Sequence, residues 1–252
     1  MRKAKLRGAI CALIAPLLAP FEASAASGDD FTRERRHMAA EIAAMAMATK
    51  AETGRERFAE SVMQAIAKVP RHRFVAESHA RSAYRNEPLP IGAGQTISQP
   101  YIVALSTDLI DPRPEHVVLE IGTGSGYQAA VLGELVKEVY SIEIVEALGR
   151  DAATRLETLG YRNVHVRIGD GYQGWPEHAP FDGIIVTAAA PFIPGPLIAQ
   201  LKPGGKMAIP VNAIDGGQDL LQVEKRVDGT IDKRVVLRVR FVPMTGTGVQ
   251  RR

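Results

Sequence analysis

An apolar segment that ends in three alternating glycines constrains the fold of this chain more than any other feature. Residues 117–121 form the segment, Gly122, Gly124 and Gly126 follow, and a helical pattern covers residues 128–136. Glycine can adopt a positive φ and lets the backbone approach a ligand closely, and the first turn of a helix leaves N–H groups unpaired. The segment therefore predicts a strand, a tight turn and a helix, with a nucleotide-type pocket at the carboxyl end of a parallel strand.

The spacing of the glycines and of two acids narrows the class of ligand that the pocket could bind. The dinucleotide fingerprint is G-x-G-x-x-G, whereas here the third glycine is Gly126 and Tyr127 follows it. Glu120, two residues before the first glycine, would direct a carboxylate at the pocket, which suits a cationic ligand better than a pyrophosphate. Glu143 ends the next apolar run, 17 residues after Gly126, where a ribose diol would be held. The pattern resembles the class I S-adenosylmethionine-dependent methyltransferases; a dinucleotide site and a glycine turn without a cofactor are the alternatives.

Strand patterns and helix patterns alternate beyond residue 116. Strands are predicted near residues 116–121, 138–143, 163–168, 183–187, 205–211, 219–226 and 234–241. Helices are predicted near residues 127–136, 145–159 and 194–201. Such alternation is typical of a parallel sheet with helices on both faces, and residues 227–230 are a hairpin signal. The predicted fold class is α/β: a doubly wound, Rossmann-like, mostly parallel sheet with antiparallel edge strands and an N-terminal helical extension.

The N-terminal half of the chain reads as helices joined by irregular segments. Helices are predicted over residues 31–49, 56–68 and 99–110. Residues 70–75 are interpreted as a basic, partly apolar connector that forms a solvated turn packed by Phe74 and Val75. Residues 84–100 are rich in proline and glycine and are predicted to be irregular, and loops of this length are often functional. Their hydroxyls at Thr96 and Ser98 precede a helix start, where hydroxyls and backbone N–H groups bind carboxylates; a plain helix cap by Ser98 is the alternative.

A further acid follows the third predicted strand, in the turn Gly169-Asp170-Gly171. In a doubly wound sheet this turn lies near the ligand crevice. Asp170 could therefore accept a hydrogen bond from an adenine amino group. The alternative is that Asp170 only caps a helix or a turn.

The first 25 residues differ from the rest. They combine a basic start, a short apolar run and the small-residue pattern Ala23-Ser24-Ala25, which together are typical of a secretory signal peptide. An upstream start codon or an uncleaved, disordered leader is the alternative. We therefore expect a leader at residues 1–25 and a single domain at residues 26–252. Within that domain, helices and a substrate loop would occupy residues 26–110 and a cofactor-binding sheet residues 116–247.

Composition outside the leader excludes several functional classes. The leader holds four of the 31 basic residues and one of the 28 acidic residues, so the remainder is formally neutral and gives no nucleic-acid footprint. The only cysteine, Cys11, also lies in the leader, which leaves no thiolate catalyst, cysteine-ligated zinc or disulfide elsewhere. The six histidines show no metal-ligand spacing, so no metal site is expected. No apolar stretch reaches the roughly 18 residues of a membrane span.

Several motifs in series make the resemblance more specific. They are Leu89-Pro90-Ile91-Gly92, Gln95-Thr96-Ile97-Ser98-Gln99-Pro100, the Glu120–Tyr127 turn, Gly169-Asp170-Gly171, Pro180-Phe181-Asp182 and Arg240-Phe241-Val242-Pro243. From about residue 36 to residue 247 the chain resembles the bacterial protein-L-isoaspartate O-methyltransferase family. It departs from the family at the leader and at the basic tail, residues 250–252.

The resemblance implies a function and a set of site residues. The implied activity is transfer of a methyl group from S-adenosyl-L-methionine to the free α-carboxylate of L-isoaspartyl residues in damaged proteins and peptides. The implied active-site residue is Ser98, and Thr96 would help it orient the carboxylate. The implied cofactor-binding residues are Glu120, Gly122, Gly124, Gly126, Glu143, Asp170 and Gly171. The segment around residues 241–243 would shape the substrate groove.

Two other functions stay open from the sequence. One is methylation of a small molecule by the same fold, which does not account for the Thr-Ile-Ser loop. The other is non-catalytic binding of damaged protein outside the cytoplasm, which the leader favours. The cofactor and the family favour a cytoplasmic location, whereas a cleaved leader would make the protein periplasmic or exported. The intact acids Glu120, Glu143 and Asp170 favour a working enzyme.

Overall fold

The computed structural model describes residues 31–250 of the 252-residue chain, so the predicted leader at residues 1–25 lies outside the described residues. The helices are α1 (Thr32–Ala48), α2 (Lys50–Thr53), α3 (Glu60–Lys68), α4 (Pro100–Leu109), α5 (Tyr127–Gly133), α6 (Glu146–Thr158) and α7 (Gly195–Gln200). The strands are β1 (Leu89–Gly92), β2 (Gln95–Ile97), β3 (Val117–Ile121), β4 (Glu138–Glu143), β5 (Val164–Ile168), β6 (Phe181–Val186), β7 (Leu201–Asn212), β8 (Gln218–Lys225) and β9 (Ile231–Val239). Short 3₁₀ helices include Arg71–Phe74, Glu77–Ser82 and Gly171–Gln173.

The main sheet has seven strands in the order β5-β4-β3-β6-β7-β8-β9. The strands from β5 to β7 are parallel, and β7, β8 and β9 pair antiparallel. The predicted doubly wound sheet with antiparallel edge strands is thus confirmed. The chain runs outward from β3 to β5 and then returns to place β6 on the other side of β3. This reversal creates a switch point between β3 and β6, where ligands of open α/β sheets bind.

Side chains alternate between the two faces of the sheet, which builds two apolar cores. Val118 packs with α1, α3, α4 and α5 on one face. Leu119 and Ile121 pack with α7 on the other face. Because successive side chains of a strand point to opposite faces, Glu120 lies on the same side as Val118. The sequence of β3 thereby decides which residues can reach a ligand at the end of the strand.

Asp182 fastens the sheet at the end opposite the crevice. Its carboxylate accepts a hydrogen bond from the backbone N–H of Val117 at 2.8 Å and another from the Lys202 ammonium at 2.7 Å. The residue joins the starts of β3 and β6. Its interpretation as a structural residue, drawn from its place at the beginning of a strand, is confirmed.

The N-terminal half differs from the sequence prediction in three places. Residues 84–100 contain the hairpin β1–β2, with Leu89 opposite Ile97; its strands are too short and too rich in proline to show alternation. The second helix begins at residue 60 instead of residue 56. Residues 70–75 are not a solvated turn, because Arg71 is buried within a 3₁₀ helix, whereas Phe74 is packed as predicted. Among the described residues, no helix is long and apolar enough to cross a membrane.

Candidate functional site

A cleft opens at the carboxyl ends of β3, β4 and β6, beside the switch point of the sheet. Four segments surround it: the acceptor loop (Gln95–Ser98), the glycine turn (Gly122–Ser125), the end of β4 and the segment after it (Ile142–Val145), and the closing segment (Val242–Thr245). Gly171 and Thr187 complete the wall. The structure thus brings six of the predicted site residues to one cleft: Thr96, Ser98, Gly122, Gly124, Glu143 and Gly171.

The glycine turn has the backbone that the sequence predicts. Gly122, Gly124 and Gly126 adopt φ values of +94°, +53° and +88°. A Cβ atom on Gly122 would lie 2.3 Å from the Thr187 Oγ1, and that hydroxyl donates to the Gly122 carbonyl at 2.6 Å. Position 122 therefore requires glycine for two reasons: its φ is positive, and a Cβ atom would clash with Thr187. The run of small residues that begins at Thr187 keeps the floor of the cleft open.

Gly126 has a different role from the other two glycines. It does not line the cleft but forms the left-handed N-cap of α5. A Cβ atom there would lie 3.2 Å from Leu156 of α6. Its predicted contact with a cofactor stays a prediction, and the structure shows instead that Gly126 lets α5 and α6 pack closely.

Glu143 presents a fixed carboxylate to the cleft. Its Oε2 accepts a hydrogen bond from the Gly124 N–H at 2.7 Å, and its Oε1 accepts one from the Val145 N–H at 2.9 Å. The side chain is only 5% exposed. Each carboxylate oxygen can accept a second hydrogen bond. The geometry therefore leaves Glu143 able to accept bonds from a ligand diol while the glycine turn holds it in place.

Glu120 does not face the cleft, which corrects the expectation from its spacing. The alternation of side chains along β3 directs it behind Thr123, where it is fully buried. The Ser141 hydroxyl donates to Glu120 Oε2, and the Thr123 and Ser141 hydroxyls lie 2.6 Å apart. Burial, with a smaller contribution from the charge of Glu143, raises the pKa of Glu120 to about 8. Its Oε1 has no hydrogen-bond partner in the described part of the chain.

This arrangement fits a cationic ligand. The hydroxyl of Thr123 lies at the wall of the cleft and links, through Ser141, to a buried carboxyl group with an unsatisfied oxygen. A positive charge bound in the cleft would favour ionisation of Glu120, because opposite charges stabilise each other strongly in a buried setting. These carboxyl and hydroxyl groups suit a cofactor that carries a positive charge and a ribose.

Asp170 and Gly171 take separate roles. Asp170 caps the 3₁₀ helix Gly171–Gln173, since its Oδ1 accepts from the Tyr172 N–H at 3.0 Å. Its Oδ2 accepts from the backbone N–H and the hydroxyl of Thr247, at 2.9 Å and 2.5 Å. Asp170 does not line the cleft, but Gly171 does, and a Cβ atom there would lie 2.3 Å from Ile121. The cap is thus present, and the adenine contact of Asp170 stays a prediction.

The acceptor loop presents hydroxyls instead of a helix cap. The N-cap of α4 is Gln99, and no side chain caps this helix. The Ser98 hydroxyl makes no hydrogen bond to any described residue, while the Ser98 carbonyl accepts from Arg71 at 2.7 Å. At the start of α4, the Tyr101 N–H is already donated to Asn86 at 2.9 Å, and Pro100 has no N–H. Anion binding at this loop therefore depends on the hydroxyls more than on the helix N-terminus.

A second groove meets the cleft at the acceptor loop. It runs along the segment Leu237–Val242 and is also lined by Met45, Tyr101 and Ile102. The two depressions share Thr96, Ser98, Thr187 and Val242. A ligand in the cleft and a second ligand in the groove would therefore meet beside Thr96 and Ser98. The predicted part of residues 241–243 in shaping a groove agrees with this position.

Comparison with known proteins assigns the chain to one family. The profile of protein-L-isoaspartate(D-aspartate) O-methyltransferase matches residues 45–248. The chain belongs to the protein-L-isoaspartate O-methyltransferase family. This stretch includes the acceptor loop, the glycine turn and the closing segment, and it agrees with the extent of the resemblance seen in the sequence.

Bacterial relatives support the family assignment over nearly the whole chain. A protein-L-isoaspartate O-methyltransferase of Polaromonas sp. strain JS666 is 59% identical over 209 residues, which cover 83% of this chain and 99% of that relative. Another, from Cupriavidus necator, is 55% identical over 235 residues, which cover 93% of this chain and 91% of that relative.

Solved structures share the fold. A protein-L-isoaspartate O-methyltransferase structure has a TM-score of 0.74 and 28% identity, with 84% of this chain and 66% of that chain covered. A Plasmodium falciparum beta-aspartate methyltransferase in complex with S-adenosyl-L-homocysteine has a TM-score of 0.70 and 23% identity, with 86% of this chain and 99% of that chain covered. The second likeness concerns the fold alone.

Sequence reasoning missed two residues that hold the acceptor loop and the start of α4. Asn86 satisfies the start of α4, and Arg71 holds the Ser98 carbonyl. Both act from elsewhere in the sequence on the acceptor loop. The only signal for Arg71 was its place in the basic, partly apolar segment at residues 70–75, and that pattern is equally typical of a surface turn.

Proposed function

We propose that this protein repairs damaged proteins by moving a methyl group from S-adenosyl-L-methionine to the free α-carboxylate of L-isoaspartyl residues. The observation that carries the proposal is the meeting of the cleft and the groove at Thr96 and Ser98, in a chain of this family. The cleft would hold the cofactor, and the groove would hold an extended stretch of the damaged protein. The fixed carboxylate of Glu143 at the cleft makes a non-catalytic binder the weaker hypothesis.

The proposed chemistry needs alignment more than proton transfer. A carboxylate has an ordinary pKa near 4, so it is already ionised at neutral pH and needs no general base. S-adenosyl-L-methionine supplies an activated methyl group on a positively charged sulfur. Holding two reactants in the productive geometry can lower a barrier by roughly 7–11 kcal/mol. The protein's own part is to bind, to orient and to keep the two ligands in line.

Each residue's proposed role follows from its place in the site. The hydroxyls of Ser98 and Thr96 orient the acceptor carboxylate, because no other described group bonds to that of Ser98. Glu143 holds the ribose diol, and the Gly122 and Gly124 backbone lies against the cofactor. Glu120 stabilises the positive charge of the cofactor from behind the cleft wall, through the hydroxyls of Ser141 and Thr123. The neighbouring main-chain amide nitrogen of the damaged protein then attacks the methyl ester and expels methanol to give a succinimide, and water opens part of the succinimide to normal aspartate.

The proposal also includes the domain organisation and the location. Residues 26–252 would act as one methyltransferase domain, with the acceptor loop in residues 26–110 and the cofactor sheet in residues 116–247. Support comes from the cleft, which residues of both segments line. A cytoplasmic location is supported by the cofactor, a cytoplasmic metabolite. Fractionation with sequencing of the mature N-terminus tests it, and a chain beginning near residue 26 outside the cytoplasm would contradict it.

The direct test uses the full-length protein with methyl-labelled S-adenosyl-L-methionine. The acceptors are an isoaspartyl peptide and the same peptide with normal aspartate. We expect base-labile label on the isoaspartyl peptide alone, because its main chain continues through the aspartyl side chain and leaves the α-carboxylate free. Label on neither peptide, with the cofactor still bound in calorimetry, would contradict the proposal and favour a small-molecule acceptor or a binding role.

A further inference from the structure

Arg71 is a fully buried cation without an acidic partner among the described residues. Its side chain is 0% exposed, and burial lowers its pKa to about 10, so it stays charged at neutral pH. Buried charges are normally paired with an opposite charge. Here the guanidinium donates to main-chain carbonyls instead: Nε to Ala83 at 2.8 Å, and Nη2 to Ser98 at 2.7 Å and to Glu87 at 3.4 Å.

The same side chain contacts both ligand-binding halves of the site. The Ser98 carbonyl belongs to the acceptor loop. On the other side, the Arg71 Cζ lies 4.7 Å from the ring centre of Tyr127, the first residue of α5, which lines the cleft. One rigid, planar group therefore spans the distance between the acceptor loop and the helix that begins at the glycine turn.

The Ser98 contact determines how the acceptor hydroxyl is presented. A hydrogen bond to the carbonyl of Ser98 fixes the plane of the peptide that follows this residue. The Ser98 hydroxyl itself bonds to no described residue, so its direction depends on the backbone that carries it. The Arg71 bond, together with the Asn86 bond at Tyr101, defines that backbone at the point where β2 passes into α4.

We propose that Arg71 is a positioning residue of the methyl transfer. It touches neither ligand, and it holds the Ser98 hydroxyl at a fixed position relative to the cofactor side of the cleft. This inference rests on the proposed function. A lysine cannot replace the arginine, because one ammonium group lacks the planar fork that reaches Ala83 and Ser98 in two directions.

The expected kinetic effect is on turnover. A misplacement of about 1 Å can lower a rate by roughly 100-fold, so we expect Arg71→Met to lower kcat for an isoaspartyl peptide by about 10- to 100-fold. The Kd for S-adenosyl-L-homocysteine should change by less than about three-fold, because the glycine turn and Glu143 keep their own contacts. Arg71→Lys should give a smaller loss in the same direction. All assays are run well below each variant's Tm.

A matched control separates positioning from a general loss of stability. Arg234 also donates to a main-chain carbonyl, that of Thr53 at 3.0 Å, but it lines neither the cleft nor the groove. Arg234 is exposed and also donates to the Gln222 side chain at 3.1 Å, so Arg234→Met removes an arginine-to-carbonyl hydrogen bond from a remote place without removing a buried charge. We expect it to lower Tm without lowering kcat at a temperature where the variant is folded.

A double-mutant cycle with Ser98→Ala decides whether Arg71 acts through Ser98. Coupled residues give non-additive effects, whereas independent residues give additive ones. We expect Arg71→Met to lower kcat little or not at all in the Ser98→Ala background. Arg71→Lys serves in the same cycle if Arg71→Met does not fold.

The outcomes distinguish the inference from the proposed function. Additive losses in the cycle, or a loss of turnover matched by Arg234→Met, would overturn the role of Arg71 in an enzyme that still methylates isoaspartyl peptide. Absence of methylation by the wild-type protein would instead overturn the proposed function. Loss of cofactor affinity equal to the loss of kcat would show that Arg71 supports the cofactor side and would also overturn the positioning role.

Discussion

At the scale of single residues, the site depends on hydroxyls and carboxylates whose surroundings differ sharply. Ser98 has a hydroxyl free of described partners at the junction of cleft and groove. Glu143 is held by two backbone N–H groups, and Glu120 is buried behind Thr123. Similar side chains thus have different tasks, because packing decides which of them can reach a ligand.

Substitution Ser98→Ala tests the hydroxyl directly. We expect kcat for an isoaspartyl peptide to fall by about 10- to 100-fold, since a hydrogen bond to a charged group contributes roughly 1.5–3 kcal/mol. The Kd for the cofactor, measured by calorimetry, should stay within about two-fold, because the proposed cofactor contacts lie on the glycine turn and β4. Ser61→Ala, the same change at an exposed position of α3, is the control. Equal losses in turnover and cofactor affinity would argue against the assigned role.

At the scale of elements, the glycine turn joins β3 to α5 and defines the cofactor side of the cleft. Its conformation was predictable, because alternate glycines directly after an apolar strand are typical of a ligand-binding turn with positive φ values. The hairpin β1–β2 was not predictable, since its strands of four and three residues are too short for a periodic pattern. The buried 3₁₀ helix at residues 71–74 was predicted wrongly, because its basic residues resemble a solvated surface.

Substitution Gly122→Ala tests the close contact between the glycine turn and Thr187. The new Cβ would lie 2.3 Å from the Thr187 Oγ1 on a backbone with φ of +94°. We expect a loss of roughly 1–3 kcal/mol in the free energy of unfolding, together with weaker cofactor binding, as measured by urea denaturation and calorimetry. Gly229→Ala is the control, because its φ is +85° but nothing lies within 4 Å of the added atom. The idea fails if both variants lose the same stability and bind cofactor equally.

At the scale of the whole molecule, the buried Glu120 links folding and cofactor binding to pH. Burial raises its folded-state pKa to about 8 from the ordinary 4.5. Between these pH values the folded protein holds a proton that the unfolded chain has lost. The stability contributed by this proton is complete below pH 4.5 and is lost as pH rises through 8.

Two measurements check this pH linkage. We expect Glu120→Gln to show a smaller fall in the free energy of unfolding between pH 5 and about 8 than the wild type. We also expect the wild type to release a proton when it binds S-adenosyl-L-methionine near neutral pH, because the positive charge favours the ionised carboxylate. Calorimetry in buffers of different ionisation enthalpy measures that release, with the exposed Glu157→Gln as control. Binding without proton release would contradict a coupled Glu120.

The sequence by itself determined the sheet, the glycine turn and the family. Long apolar strands that alternate with helices have one common arrangement, and a series of short motifs in order is specific even without coordinates. These features are local: each depends on residues that are neighbours in the chain.

Only the tertiary structure decided which residues line the cleft and which lie behind it. Glu120 points away from the cleft because it shares the face of β3 that carries Val118. Asp170 accepts a hydrogen bond from Thr247, 77 residues away in the chain. Arg71 donates a hydrogen bond to the carbonyl of Ser98, which lies 27 residues further along the chain. Such contacts depend on how separate elements pack, and the residue types and their spacing carry no direct record of that packing.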